Sequence, residues 1–96
     1  MKDIEVIKEI INNYRNVLEE TYKVKKIALF GSYIRGEQNK ESDVDILVEF
    51  KDPVGLLFIH LADFLEHILG LKVDLITPDA IKPNRREIIK KELIYV

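Results

Sequence analysis

Cysteine is absent from this 96-residue chain, which excludes a disulfide framework and any thiolate metal site. Glycine and proline are scarce, at four and three residues, while 47% of the chain is hydrophobic and 33% charged. That balance excludes long disordered stretches. The net charge of -2 lacks the basic excess of proteins that coat nucleic acid, so direct nucleic-acid binding is not expected. No apolar run approaches the roughly 20 residues that span a bilayer. The first segment carries Asp3, Glu5 and Glu9 within a periodic pattern unlike a signal peptide. A cytoplasmic protein without membrane contact is the expectation. The length suits a single domain over residues 1–96, with a modest core. Internal repeats, linkers and low-complexity segments are also missing.

What is present is well patterned. Ile4, Ile7, Ile10, Ile11, Tyr14, Val17, Leu18 and Tyr22 recur every three or four residues. This spacing predicts an amphipathic helix over about residues 3–22, with Asp3 as its N-cap. Residues 26–30 form a short apolar run ending at Gly31 and read as a buried strand. A short helix over 33–36 is expected to open at Gly31-Ser32, followed by a polar loop over 37–42. Residues 43–50 alternate: Val44, Ile46, Val48 and Phe50 share one face, and Asp43, Asp45, Leu47 and Glu49 the other. Asp52-Pro53 breaks that strand. A helix is predicted over 54–69, closed by Gly70, then a strand over 72–77 and a last helix over 84–92. Residues 93–96 read equally as helix end or edge strand. The order implies an α/β (α+β) fold, a small sheet packed against helices.

The chemistry concentrates in three places. Alternate residues of a strand point the same way, so Asp43 and Asp45 project together from one face. Asp74 follows 29 residues after Asp45, across one helix, which lets the third strand return beside the second. Three carboxylates on one face would bind one or two Mg²⁺ ions, a hard cation that favours oxygen ligands and substrate phosphates. Left buried and unpaired, they would be costly. Gly31 allows a phosphate close to the backbone, and Ser32 adds a hydroxyl donor at the start of a helix.

The segments Gly31-Ser32-Tyr33-Ile34-Arg35-Gly36 and Ser42-Asp43-Val44-Asp45-Ile46-Leu47-Val48 resemble the signature of the minimal nucleotidyltransferases. These are the smallest members of the DNA polymerase β-like superfamily, and the likeness covers essentially the whole chain. The resemblance implies the nucleotidyltransferase fold, with Asp43 and Asp45 binding both catalytic Mg²⁺ ions. It further implies that Asp74 completes the set and helps activate the acceptor hydroxyl. Gly31, Ser32 and Arg35 become candidate nucleotide-binding residues, with ATP as substrate. Members of the family act as antitoxins, transferring AMP to a tyrosine of a HEPN-domain ribonuclease toxin. Larger relatives place a further domain over the acceptor, so here the acceptor surface is expected from a partner or from a second copy in a homodimer.

Two rival readings share these residues. One transfers the nucleotide to RNA or a small molecule, and the other is an antitoxin that neutralises by occlusion alone. Other features have plainer accounts. Arg35 contacts a phosphate or partner, or else pairs with Glu37 or Glu41 to hold the loop. Ser42 turns the chain into its strand. His60, Asp63 and His67 share a helix face, but the two histidines are separated by about 10 Å of helical rise, too far for one zinc ion. Lys82, Arg85, Arg86, Lys90 and Lys91 form a basic cluster that reads as a solvated helix face, or as a steering patch for an anion.

Overall fold

In the computed structural model, which describes residues 2–96, the first helix starts where its cap requires. Asp3 is extended (φ -96°, ψ 174°) and its carboxylate accepts the Val6 N–H at 3.0 Å. Asp3→Ala is expected to lower stability by about 1 kcal/mol in urea unfolding. An unchanged midpoint would show that water replaces the cap.

The predicted helix over 3–22 is divided into α1 (Ile4–Asn13) and α2 (Arg15–Glu20). Tyr14, at φ -107° and ψ 16°, leaves helical geometry after two asparagines, which are weak helix formers. Beyond the break, Tyr14 meets the Phe64 ring edge-on at 5.5 Å and Tyr22 stacks on it at 5.1 Å. Packing on that ring accommodates the departure from one straight helix.

The chain continues through β1 (Val24–Phe30), α3 (Ser32–Arg35), β2 (Val44–Phe50), α4 (Leu57–Leu69) and β3 (Val73–Ile76). Two short 3₁₀ turns (Pro78–Ala80 and Pro83–Arg85) lead to α5 (Arg86–Glu92) and the two-residue β4 (Ile94–Tyr95). The sheet order is β3-β2-β1-β4, with β2 and β3 parallel and the other pairs antiparallel. The tail is therefore an edge strand, paired Ala28 to Tyr95 and Leu29 to Ile94. Gly70 ends α4 at φ +65°, as a C-terminal glycine should. Glu66 then accepts the Val73 N–H at 3.0 Å, pinning the entry to β3.

Alternation divides the sheet's two faces. Ile27, Leu29, Val44, Ile46, Val48 and Leu75 pack against Ile7, Ile11 and Leu18 of the first two helices and Leu61, Leu65 and Leu69 of α4. Ala28, Phe30 and Leu47 face the other way, where Ile89 of α5 covers them. The acidic residues of β2 and β3 lie on this second face, beside α5. Among the described residues, no helix is long and apolar enough to cross a membrane.

Candidate active site

β1 delivers the chain to Gly31 at φ +83° and ψ -153°, a region essentially restricted to glycine. The carbonyl of Gly31 accepts the N–H groups of Ile34 and Arg35 at 3.1 and 3.2 Å, which winds α3. Gly36 closes that short helix in the left-handed region. Phe30 pairs with Asp45 across β1 and β2, so the Asp45 carboxyl lies against the Gly31 backbone. An ideal Cβ on Gly31 would overlap Asp45 Oδ2 and stand 2.9 Å from its Cγ.

The parallel pairing of β2 and β3 sets Asp45 directly opposite Asp74. The two carboxylates, with Gly31 and Arg35, line a cavity of about 300 Å³. Burial, then repulsion from Asp74 and Asp43 and a carboxyl–carboxylate hydrogen bond with Asp74, push the Asp45 pKa up to about 6. Like charges pressed together in a partly desolvated site are the physical cause. Arg35 only partly offsets it.

Four of the six predicted site residues meet at this cavity. Ser32 starts α3 beside it and Asp43 stands exposed one residue before β2, and neither lines its walls. Among the described residues, no three His, Asp or Glu side chains form a ready-made metal shell. The donor chemistry nonetheless fits a hard divalent cation, since all three candidates are carboxylates and Asp45 carries repulsion that a cation would relieve. His60, Asp63 and His67 are exposed.

Residues from the C-terminal third complete the cavity. Lys82 and Arg85 line it together with Ile81, Ile88 and Glu92. Glu92 accepts the Gly31 N–H at 3.2 Å through Oε2 and an Arg35 Nη at 2.6 Å through Oε1. Arg35 also donates from Nε to Glu37 at 2.9 Å. Of the partners expected for Arg35, Glu37 is present and Glu41 is replaced by Glu92. Lys82 and Arg85 belong to the cluster read above as a solvated helix face or a steering patch for an anion, and nothing local in the sequence marks these two as cavity residues. Three acids and three bases thus face one space, a donor set that suits both a hard cation and an anion.

The nucleotidyltransferase domain family matches residues 11–96. This chain belongs to that family. Among its relatives, a Methanocaldococcus jannaschii protein provisionally named a protein adenylyltransferase is 51% identical over the full length of both chains. A protein adenylyltransferase of Thermococcus cleftensis is 41% identical, covering 100% of this chain and 98% of the relative. Two solved structures share the nucleotidyltransferase fold. A provisionally named minimal nucleotidyltransferase superposes with a TM-score of 0.80 at 29% identity, over 97% of this chain and 95% of that one. A toxin–antitoxin structure with AMP-PNP gives 0.70 at 28% identity, over 93% and 70%.

Proposed function

We propose that this nucleotidyltransferase is a protein adenylyltransferase and an antitoxin, moving AMP from ATP to a hydroxyl, a tyrosine by family resemblance, of a HEPN-domain toxin. The observation that carries this reading is the pairing of Asp45 and Asp74 against Gly31, in a cavity that Arg35, Lys82 and Arg85 also line. The adenylyltransferase names of two full-length relatives and a toxin–antitoxin neighbour with an ATP analogue support it.

In this mechanism the Gly31 N–H and the Arg35 guanidinium take phosphate oxygens, and Ser32 adds its hydroxyl. Asp43, Asp45 and Asp74 would hold Mg²⁺, which supplies charge neutralisation for the triphosphate. The acceptor hydroxyl oxygen forms a bond to the α-phosphorus, while the bond from that phosphorus to the bridging oxygen breaks. Pyrophosphate leaves with the electron pair, and AMP remains on the acceptor. The hydroxyl proton passes to Asp74, which is solvent-exposed and open to an incoming partner. Positioning and charge stabilisation supply most of the acceleration, as expected for phosphoryl-type transfer.

The test is the intact mass of the neighbouring-gene product before and after incubation with this protein, ATP and Mg²⁺. The expected result is a gain in adenylyl-sized steps, lost when Asp43 and Asp45 are both replaced by asparagine. A stable complex without any gain would instead favour an antitoxin acting by occlusion. Labelling of RNA in the absence of a protein partner would change the acceptor class.

A further inference from the structure

Glu92 is the one carboxylate lining the cavity that the mechanism leaves without a role. It is the last residue of α5, and its carboxylate bonds two groups 61 and 57 positions earlier in the chain, the Gly31 N–H and the Arg35 guanidinium. These are the two donors assigned above to phosphate oxygens. We propose that Glu92 is an internal stand-in for phosphate: an incoming polyphosphate must displace its carboxylate from Gly31 and Arg35, so Glu92 sets the affinity for nucleotide. This inference rests on the nucleotidyltransferase reading of the same site.

Three observations converge on it. The first is shape: a carboxylate has two oxygens, and here each takes one donor, at 3.2 and 2.6 Å, as two oxygens of a phosphate would. The second is placement. The Glu92 side chain is 19% exposed, whereas Glu37, the other partner of Arg35, is 57% exposed. Glu92 is thus held inside a cavity that already contains Asp45 and Asp74, where a third carboxylate is unfavourable unless strong donors retain it. The third is the neighbourhood. Lys82 and Arg85 line the same cavity, and among the described residues neither has a salt-bridge partner. They are free to receive the outer phosphates, or the Glu92 carboxylate once it is released.

A purely structural role makes the opposite prediction. If Glu92 only braces the Gly31 turn and Arg35 for the ligand, weakening it should loosen the site and reduce affinity. If it competes with the ligand, weakening it should raise affinity.

Glu92→Gln keeps the size of the side chain and removes its charge. Isothermal titration of wild type and variant is made with two probes, ATP with Mg²⁺ and inorganic tripolyphosphate. Glu92→Gln is expected to bind both about tenfold more tightly, the scale of a lost charge-assisted contact. Equal or weaker binding of both probes by the folded variant overturns the proposal. If Glu92→Gln does not fold, Glu92→Asp decides, because its shorter carboxylate cannot span both donors and is also expected to tighten binding. Unchanged or weaker binding by Glu92→Asp would then overturn it. Wild type that binds neither probe overturns the proposed phosphate-binding role of Gly31 and Arg35, and this inference with it. Wild type that binds both while the variants gain nothing removes only the role of Glu92.

Discussion

Asp45→Asn is expected to reduce AMP transfer by at least about 10³-fold, the scale of losing a main transition-state electrostatic contact, while the chain stays folded. Asparagine nearly matches aspartate in shape, so the packing against Gly31 and the pairing of Phe30 with Asp45 persist. What disappears is the charge at a position that touches both the glycine turn and Asp74. Single-turnover transfer, followed by intact mass, reads the chemical step, and circular dichroism reads the fold. A folded variant keeping a tenth of wild-type transfer would remove Asp45 from the site.

The same substitution is expected to raise stability at alkaline pH. The native state holds the Asp45 pKa at about 6, above its ordinary value of 3.8. Between those values the folded protein binds a proton that the unfolded chain releases, so stability from this group falls as pH rises. The contribution is complete below about pH 4 and lost once pH passes about 6. Asp45 is half-buried, and after discounting for solvent screening the cost is about 1 kcal/mol. For a domain of this size that is roughly 4–8 °C in Tm. Asp45→Asn should therefore melt higher than wild type at pH 8, with the gain vanishing near pH 4. A gain that does not depend on pH would show that Asp45 repulsion is not its source. A site that destabilises its own fold in the absence of ligand is consistent with one shaped to receive cations.

Elements with a strong local period were legible in the sequence. Residues 44–50 alternate with one face committed to the core, so the side of the sheet that carries Asp45 follows from parity alone. The Asp3 cap and the Gly70 stop were readable because each solves a backbone problem confined to a few residues. The break at Tyr14 was not, since the three- and four-residue spacing runs through it and the deviation accompanies packing on Phe64. β4 has only two residues, and its strand state comes from pairing with β1, which no local propensity encodes. The candidate site divides in the same way. Parity and one helical crossover bring Asp74 beside Asp45. By contrast, Glu92 reaches Gly31 from 61 residues away, and Lys82 and Arg85 line the cavity because the 3₁₀ turns carry them there.

Gly31→Ala should be among the most damaging single-atom additions available in this chain, expected to cost about 3 kcal/mol or more and to abolish transfer. Two penalties act together. The backbone at φ +83° and ψ -153° is strained for any residue with a Cβ, by about 1–3 kcal/mol. The new methyl would also overlap Asp45 Oδ2 and crowd its Cγ and Cβ, at 2.9 and 3.2 Å. Relief requires that the Asp45 carboxyl swing away from Asp74, or that the turn move and give up the Gly31 N–H bond to Glu92. Either response dismantles the candidate site. Gly36→Ala separates the two penalties, because Gly36 also has a positive φ of +70° but its added Cβ would meet nothing within 4 Å. It should cost only the left-handed backbone term, about 1–2 kcal/mol, and leave transfer within a few-fold of wild type. Combining Gly31→Ala with Asp45→Ala should recover the part of the loss due to overlap and none of the backbone part, a coupling that urea unfolding of the four proteins in the cycle measures directly. Equal losses for the two single glycine variants, with no coupling to Asp45, would show that the carboxylate is not wedged against the turn and that the close approach plays no part in building the site.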